Sequence, residues 1–415
     1  MNTGLPMLEG YRVLDMTQIV AGPTCTRIMA ELGAEVIKVE LPPLGDRTRV
    51  GGLKSREQEH KNSSKSTYYF QHNHSKKSIA IDIKSNKGQR LLKDLISKCD
   101  VLVENFSPGV MARSGLAYED LKEINPRLVM CSISMAGQTG PLSLKPGYDY
   151  IAQAYAGVTD LVGEPEGDPA LITMAMGDSA TGLAAAMAIG FALLHRERTG
   201  RGQFLEATLL DTYFHMHEVN VPRVSLRKGY QPKRTGSQHP DGGPTGIFKC
   251  GDGSYLSMAL LPHQWKLFCE AINRQDLLSD ARFTSAALRR DNNASLKEIF
   301  EEWLSNFLTR DDAIEVLDKF RIPCAPVLSL NQAMKHPHLK ERGTVRSVHD
   351  DVLGDFDIPG MPVKFSEWAT NVNLKAASLG EHNSEVLKEY LGLSDDQIKQ
   401  LYEDHILIKE MQAEA

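Results

Sequence analysis

Residues 11–40 decide the fold, and they read YRVLDMTQIVAGPTCTRIMAELGAEVIKVE. The segments 11–16 and 35–40 predict two strands, and the segment between them predicts a helix that begins near Pro23 and ends at Gly33. Two strands joined through a helix form a βαβ unit, so we expect them to be parallel in one sheet. The glycines do not form G-x-G-x-x-G, and neither a nicotinamide nor a flavin cofactor is expected.

The alternation of strand and helix continues over roughly the first 140 residues. Strands are predicted at 78–83, 101–103 and 128–134, and helices at 86–98, through Arg113 and at 117–124, whereas the polar segment 45–75 is expected to be a long loop. This pattern is typical of a doubly wound, Rossmann-like α/β domain. The turn at 104–109 follows a buried strand, and in open α/β sheets ligands bind at the carboxyl ends of strands.

The composition is typical of a soluble globular protein. The chain has 415 residues, 41% hydrophobic and 24% charged, with a net charge of −6, so nucleic-acid binding is not expected. Its six cysteines are scattered without a C-x-x-C pair, which is typical of reduced thiols in a cytoplasmic protein. The longest apolar stretch, at 183–194, is too short to span a bilayer, and no membrane association is predicted.

A second, smaller domain is predicted near residue 246. The segment 228–246 is rich in glycine and proline and marks a domain boundary. Strands at 246–250 and 254–260 flank Gly251-Asp252-Gly253, a hairpin signal, and helices follow near 263–273, 294–307 and 311–320. Residues 326–415 show no core of their own, so we expect them to pack back on the first domain.

Asp178 lies in a polar corner, MGDSATG at 176–182, that opens into the apolar run. An acidic side chain at a helix start accepts hydrogen bonds from free backbone N–H groups, and the helix dipole favours its ionised form. Asp178 is therefore either an N-cap alone or a carboxylate nucleophile. In both cases we expect it to be ionised at neutral pH.

Other polar groups give weaker signals. His215 and His217 point in different directions at helical spacing, so no metal site is predicted. Gly242 and Gly243 form either a plain linker or a mobile flap over a site. Basic residues in or beside strand-end loops suggest an anionic ligand, namely Arg47, Arg49, Lys76, Lys77, Lys84 and Arg113.

A set of short segments occurs in a fixed order over nearly the whole chain. They are LEG at 8–10, AGP at 21–23, LGAEVIKVE at 32–40, ENF-x-PG at 104–109, GQTGP at 137–141, YD-x-x-x-Q at 148–153, GDS-x-x-G at 177–182, TG-x-GQ at 199–203 and IPC-x-PV at 322–327. Together they resemble the class III CoA-transferases, which include formyl-CoA transferase and carnitine CoA-transferase and have the α-methylacyl-CoA racemases as relatives. No single segment is decisive, and their joint occurrence carries the resemblance.

The resemblance implies an acyl-CoA:carboxylate CoA-transferase in which Asp178 attacks the thioester carbonyl of the donor. This attack gives an aspartyl–acyl anhydride and free CoA thiolate, which then forms an aspartyl-CoA thioester and releases the donor acid. The acceptor acid attacks that thioester, and CoA passes to the new acyl group through a second anhydride. Coenzyme A enters as part of the substrate, and no metal is required.

The family's CoA site lies against strand-end loops of the large domain, with Lys84 and Arg113 as partners of the CoA phosphates. Carried over by motif, it comprises Val20, Ala21, Ile81, Asp82, Ile83, Lys84, Asn105, Phe106, Ser107, Arg113, Lys145, Tyr148 and Asp149. The glycine flap that closes over the substrate in formyl-CoA transferases corresponds here to the region of His239, Gly242 and Gly243.

Three features depart from the formyl-CoA transferase pattern. Val20 replaces a glutamine that helps hold oxalate, Leu41 replaces an arginine, and the flap has two adjacent glycines rather than four. These changes favour a different and larger carboxylate. A racemase is the second choice, because the residue before Asp149 is Tyr148 rather than the histidine of the racemases.

The family fold is a ring-shaped chain, and two rings interlock into a homodimer. On this basis we expect residues 1–210 and 330–415 to form the large CoA-binding domain, 211–245 the linker and flap, and 246–325 the small α+β domain. Such a chain would explain why its C-terminal segment has no core of its own. The expected partners are an acyl-CoA donor, a carboxylic acid acceptor and a second copy of the chain.

Overall fold

The computed structural model describes residues 6–50, 64–367 and 373–410. They form two compact units. Unit 1 lies within Met1–Val158, Ile172–Val221 and Lys340–Ala415, and unit 2 lies within Thr159–Leu171 and Pro222–Leu339. Each unit has its own hydrophobic core.

The frame of unit 1 is a six-stranded sheet. Its strands are β1 Arg12–Met16, β2 Glu35–Glu40, β3 Lys77–Ala80, β4 Val101–Glu104, β5 Val129–Ser134 and β6 Gln203–Thr208. The strand order is β3-β2-β1-β4-β5-β6, and every neighbouring pair is parallel. This is the order of a doubly wound Rossmann sheet, and it confirms the predicted α/β class.

Helices cover both faces of this sheet. They are α1 Ala21–Glu31, α2 Thr67–Asn73, α3 Asn86–Ile96, α4 Val110–Arg113, α5 Tyr118–Ile124, α6 Asp149–Tyr155, α7 Met176–Thr199 and α8 Leu209–His215. Val13 and Leu14 of β1 are both fully buried, because successive side chains of a strand point to opposite faces. Leu14 joins the core with α3 and α5, and Val13 joins the core with α1 and α7.

The helix α2 lies within the segment 45–75, which we expected to be a loop throughout. Ser66 caps it by accepting a hydrogen bond from Tyr69 N, and Tyr69 and Phe70 are buried. A helix of seven residues is too short for an apolar period to show in the sequence. The prediction of a loop there was wrong for this reason.

The helix α7 is longer than the apolar run that marks it. It extends over 24 residues, so among the described residues it is the one helix long and apolar enough, by length and composition, to cross a membrane. The prediction that the apolar stretch is too short to span a bilayer rested on 183–194 alone and was wrong for the helix as a whole. Length and composition are weak evidence, because core helices of soluble proteins pass the same test. Ala185 and Ile189 on its inner face are fully buried against the sheet of unit 1.

Unit 2 is a small α+β assembly, which the chain enters through α9 Asn220–Leu226. Its antiparallel sheet has the order β7-β8-β9, with β7 Thr245–Lys249, β8 Tyr255–Ala259 and β9 Cys324–Pro326. The pairing of β7 with β8 confirms the predicted hairpin. The helices that follow are α10 Trp265–Ala271, α11 Ala286–Asp291, α12 Asn293–Leu304, α13 Arg310–Lys319, α14 Leu330–Lys335 and α15 Pro337–Glu341.

Unit 2 also includes Thr159–Leu171, which we expected in the large domain. Arg234 Nη1 donates to the carbonyl and to the carboxylate of Asp160 at 3.0 and 3.1 Å, and Gly236 N donates to Gly163 O. These contacts join residues about 74 positions apart, so no local pattern announces them.

The C-terminal part of the chain returns to unit 1. It forms the antiparallel pair β10 Val345–Asp350 and β11 Gly354–Pro359, then α16 Asn383–Leu391 and α17 Asp395–Glu403. Val386, Leu387, Ile398 and Leu401 are buried in the same core as Leu14. From residue 340 onward the C-terminal segment belongs to unit 1.

Candidate active site

The switch point of the sheet brings two predicted loops together. β1 and β4 are neighbours in the sheet, and their connections leave in opposite directions, so a crevice opens between their carboxyl ends. Asn105 Oδ1 accepts from Gln18 N, and Asn105 Nδ2 donates to Gln18 O, both at 2.8 Å. Asn105 therefore uses its amide to fix the shape of the crevice.

The start of α1 and the start of α7 lie against each other. Val20 precedes α1 and Ala21 begins it, and each is only 4% exposed. A methyl group added at Gly182 would lie 2.6 Å from Ala21 O and 2.9 Å from Thr24 Cβ, so only glycine allows this approach. Because Asp178 lies one turn before Gly182, the structure brings the predicted Val20–Ala21 segment close to the predicted nucleophile.

Asp178 is the third residue of α7 and is not its N-cap. The cap position is Ala175, whose φ is 49°, in the left-handed region. The backbone N–H of Asp178 is satisfied by another helix, since it donates to Asp149 Oδ2 at 2.9 Å. Across 6–50, 64–367 and 373–410, the Asp178 carboxyl accepts no hydrogen bond and forms no ion pair. The capping role that we considered for Asp178 is therefore carried by Asp149.

Tyr213 holds Asp149 in this position. Its hydroxyl donates to Asp149 Oδ1 at 2.6 Å, accepts from Gln153 Nε2 at 3.2 Å, and also accepts from the backbone of Gly177. Asp149 is 4% exposed, and both of its carboxylate oxygens are engaged. Asp149, predicted to bind CoA, is thus occupied in fixing the first turn of α7.

The pKa of Asp178 follows from these surroundings. Burial, and then the negative charge of Asp149, raise the pKa of Asp178 to about 7. The expectation of a fully ionised carboxylate was wrong, because the loss of water and the repulsion outweigh a helix dipole worth about 0.3–1 kcal/mol. A carboxylate that few protein groups stabilise, and that is about half ionised at neutral pH, suits nucleophilic attack.

The predicted segment 81–84 is mostly inside the protein. Ile81 and Ile83 are 0% and 5% exposed, and Ile81 pairs with Leu407 in an isolated antiparallel bridge. Asp82 is half-buried, and its Oδ1 accepts from Lys84 N at 2.9 Å. Only Lys84 has an exposed side chain, so the two isoleucines offer a ligand at most their backbone.

The loop after β4 covers a cavity of about 250 Å³ lined by Glu104 and Ser107. Glu104 Oε2 accepts from Phe106 N at 2.8 Å, and burial raises the pKa of Glu104 to about 7. The Phe106 ring packs on the core, whereas Ser107 is exposed. Of these two predicted positions, Ser107 is therefore the one whose side chain a ligand reaches.

The surface of unit 1 carries four of the predicted polar positions, namely Arg47, Arg113, Lys145 and Tyr148. Arg113 ends α4 and is exposed. Lys145 is also exposed, with its Nζ 5.3 Å from the centre of the Tyr155 ring. Tyr148 precedes α6, and its hydroxyl accepts from Arg47 Nη1 at 3.3 Å. These side chains are free to meet a large anionic ligand.

Three of the basic residues proposed for an anion are engaged by carboxylates. Arg49 is fully buried and forms two 2.6 Å contacts with Glu40. Lys76 donates to Asp15 at 2.9 Å, and Lys77 lies 2.7 Å from a carboxylate oxygen of Glu35. Their proposed role was wrong, because their charges are already neutralised inside unit 1.

The flap residues lie together in unit 2. His239, Gly242 and Gly243 line one cavity of about 350 Å³. His239 Nδ1 accepts from Asp241 N at 3.2 Å. The prediction grouped these residues by motif, and the structure shows that they share a cavity wall.

The histidine pair near 215 has an internal partner. His217 Nε2 lies 2.6 Å from Ala156 O, which holds it against α6. Within the residues that the structure describes, no group of three or more His, Cys, Asp or Glu side chains could hold a metal ion. All six cysteines are free thiols, and five of them are buried.

Two tyrosines of the site were missed from the sequence. Tyr213 carries no motif, and its role appears only when α8 packs beside α6. Tyr68 lies on α2, and its pKa is raised by burial and next by the charge of Asp178, so its phenol is within electrostatic reach of that carboxyl. A capping serine at 66 was the one local signal for α2.

This geometry defines an α/β enzyme with a carboxylate at a helix start and a crevice at the switch point. The model of CoA-transferase family III matches residues 8–383. The chain therefore belongs to CoA-transferase family III, as the sequence resemblance indicated, and is an enzyme of this class.

Relatives and solved structures agree with this assignment. The chain is 35% identical to a formyl-CoA:oxalate CoA-transferase of Rhodopseudomonas palustris (strain BisA53), over 96% of this chain and 97% of the relative. It is 36% identical to a succinyl-CoA:glutarate CoA-transferase of Mus musculus, over 95% and 88%. The crystal structure of a CAIB/BAIF family protein from Brucella suis matches with a TM-score of 0.78 and 32% identity, over 92% of this chain and 99% of that chain.

Proposed function

We propose that this protein moves CoA from an acyl-CoA thioester to a free carboxylic acid, with Asp178 as the nucleophile. The observation that carries the proposal is the state of the Asp178 carboxyl. It lies in the first turn of a long helix with no capping duty of its own, and its pKa is raised to about 7. The names of the two relatives support the reaction type.

The reaction proceeds through covalent exchange at Asp178. The ionised carboxylate adds to the thioester carbonyl, the C–S bond breaks, and the CoA thiolate leaves with the electron pair. The thiolate then attacks the aspartyl carbonyl of the anhydride and expels the donor carboxylate. The acceptor carboxylate repeats these steps in reverse, and CoA leaves on the new acyl group.

Asp149 and Tyr213 keep Asp178 in place during this exchange. They fix the backbone N–H groups of Gly177 and Asp178, so the carboxyl of Asp178 keeps its position while it changes from an acid to an anhydride and a thioester. The charge of Asp149 also discourages ionisation of Asp178, which leaves the anion more reactive when it forms.

CoA would bind along the crevice between the loops after β1 and β4, with Lys84, Arg113 and Lys145 near its phosphates. These three side chains are exposed, as phosphate partners must be. We further propose that two copies of the chain interlock as a homodimer, that 211–245 includes a flap, and that the enzyme works in the cytoplasm. The resemblance to the family supports these three points.

The test is mass spectrometry of the protein after incubation with a panel of acyl-CoA thioesters, with and without hydroxylamine. We expect an adduct on the peptide that carries Asp178, and we expect hydroxylamine to convert it to a hydroxamate. Asp178→Asn should show neither. The matched control is Asp211→Asn, because Asp211 occupies the same third position of α8 and is exposed.

The racemase alternative gives a different result. It predicts uptake of deuterium from solvent at the α-carbon of the acyl group, without an acceptor acid and without an adduct at Asp178. That outcome would contradict the transferase. The relatives reported above lend the racemase no support.

A further inference from the structure

The cavity of unit 2 contains an unusual cation. Arg289 is 6% exposed and lines the cavity of about 350 Å³ together with Gly242 and Gly243. Its guanidinium donates to Phe283 O at 2.9 Å, and it lies 4.7 Å from the centre of the Trp265 ring. Throughout the described ranges, no carboxylate forms an ion pair with it.

An arginine in this state has hydrogen-bonding capacity to spare. A guanidinium carries five N–H donors, and one contact with a backbone carbonyl uses only part of them. Burial lowers the pKa of Arg289, which reflects the unfavourable removal of its charge from water. Buried charges in proteins are normally paired, because an unpaired one destabilises the fold.

The remaining donors of Arg289 are still accessible. Among the described residues, no side-chain nitrogen of Arg289 is both sealed from solvent and without a hydrogen-bond partner. Since the residue is almost wholly buried and lines the cavity, the cavity is the route by which these nitrogens are reached.

The rest of the lining favours an organic anion. Leu260, Leu261 and Pro262 supply apolar wall, which suits an aliphatic chain better than a strongly hydrated ion. His239 Nδ1 is occupied by the backbone N–H of Asp241, so its proton is on Nε2 when the ring is neutral. His239 thus has an N–H donor among the residues that line the cavity.

We infer that unit 2 carries a carboxylate-binding site at Arg289, for a small organic acid whose aliphatic part lies on Leu260–Pro262. A carboxylate matches the guanidinium in a bidentate pair, which compensates the buried charge. The free acid substrate of the CoA transfer is the ligand that this chemistry identifies, and that identification rests on the proposed function. The site itself stands on the geometry of unit 2 alone.

The experiment is calorimetric titration of the whole protein, free of CoA, with succinate. The change in Trp265 fluorescence gives a second readout, because the guanidinium packs on that ring. We expect saturable binding of succinate, and at least about tenfold weaker binding in Arg289→Met, since charge-assisted hydrogen bonds are lost. The matched control is Arg290→Met, the next residue, which is exposed and paired with Asp291. It should bind as the wild type does.

A second variant protects the test against misfolding. Ala286 lines the cavity from an exposed position on α11, so Ala286→Phe fills the cavity while the charge and the core stay intact. It should also lose succinate binding. Unchanged binding in both Arg289→Met and Ala286→Phe, or no saturable binding by the wild type, would overturn the inference. Equal affinity for inorganic phosphate would overturn the assignment to a carboxylate.

The same titration in Asp178→Asn separates this inference from the proposed function. Asp178 belongs to unit 1 and is not part of the cavity, so succinate should bind unchanged. If no adduct forms at Asp178 but succinate still binds at Arg289, only the proposed reaction fails. If the adduct forms and succinate does not bind, only the inferred site fails.

Discussion

Asp15 is fully buried in unit 1 whereas Asp178 is half-buried, and their surroundings shift their pKa values in opposite directions. Asp15 lies one residue before the end of β1, in a buried ion cluster where Lys76 Nζ lies 2.9 Å away and Lys38 Nζ lies 3.9 Å away. Its oxygens also accept from Thr17 and Thr26. Despite complete burial, these lysines hold the pKa of Asp15 far below its ordinary range.

Asp178 is half-buried and lacks such partners, so partial burial and then the negative charge of Asp149 raise its pKa to about 7. Burial alone therefore does not decide the ionisation of a carboxyl group. The sign of the neighbouring charges decides it. Asp15 stays ionised and holds the buried lysines in place, whereas the Asp178 carboxyl has no such partners and is available for chemistry.

The largest effect is expected from breaking the Asp15 cluster. Lys76→Met removes a buried cation that donates to Asp15, Pro23 O, Thr26 and Asn73. We expect a loss of about 3–5 kcal/mol in the free energy of unfolding, because a buried anion and its neighbours lose their partner. Urea denaturation followed by circular dichroism measures it.

The control is the adjacent residue. Lys77→Met removes a half-exposed cation that pairs with Glu35 and Glu385, and it should cost about 1 kcal/mol or less. If the two variants lose the same stability, the buried cluster does not have the role described.

Asp178→Asn should act in the opposite direction on stability. The folded-state pKa of Asp178 is raised to about 7 from an ordinary 3.8, so the folded protein binds the proton more tightly. The aspartate therefore costs stability progressively as the pH rises between these two values, and the full cost persists above 7. We expect Asp178→Asn to be more stable than the wild type by about 2 kcal/mol at high pH, after discounting for partial solvent exposure.

The measurement is the unfolding midpoint of both proteins between acidic and alkaline pH. The stability gain of Asp178→Asn over the wild type should be present above pH 7 and absent near pH 4. CoA transfer by the variant should be abolished at every pH. A gain that does not depend on pH would show that the charge of Asp178 is not its source.

Asp149→Asn should move the pH dependence of activity. The rate should rise with pH as Asp178 ionises near 7 in the wild type. Asp149→Asn removes the negative charge that is the second cause of the raised pKa of Asp178. The rising part of the pH–rate profile should therefore move to lower pH by about one unit, while the larger effect of burial remains. The check is kcat/KM for CoA transfer from pH 5 to 9, and a rising part that stays in place would show that Asp149 acts only through geometry.

Tyr213→Phe should give the smallest effect of the series. It removes the hydroxyl that donates to Asp149 at 2.6 Å and leaves the buried ring in place. We expect a loss of about 1 kcal/mol in stability and a fall in kcat with little change in KM. The matched control is Tyr150→Phe, whose exposed hydroxyl makes a weaker 3.3 Å contact with Thr173 O and should change neither quantity.

Much of the sheet could be predicted from the sequence. The strands at 12–16, 35–40, 101–104 and 129–134 each contain adjacent apolar residues, as is common in parallel strands that are buried on both faces. The helix α2 and the attachment of Thr159–Leu171 to unit 2 could not be predicted. The first is too short for a period, and the second depends on hydrogen bonds from Arg234 to residues far away in the chain.

The site shows the same division. Asp178, Val20 and Asn105 could be proposed from the sequence motifs and the family resemblance, because each lies at a helix start or a strand end that the sequence marks. The roles of Asp149 and Tyr213 were not found. A hydrogen bond across 64 residues, between two helices, has no local signature.

The sequence by itself determined the fold class, the family and the position of the candidate nucleophile, because periodicity, turn chemistry and motif order are properties of neighbouring residues. Only the tertiary structure decided that Asp149 rather than Asp178 caps α7, that the pKa of Asp178 is raised, and that Arg289 is buried without a carboxylate partner among the described residues. The physical reason is that the ionisation and pairing of a charge depend on which groups surround it in space, and distant parts of the chain supply those groups.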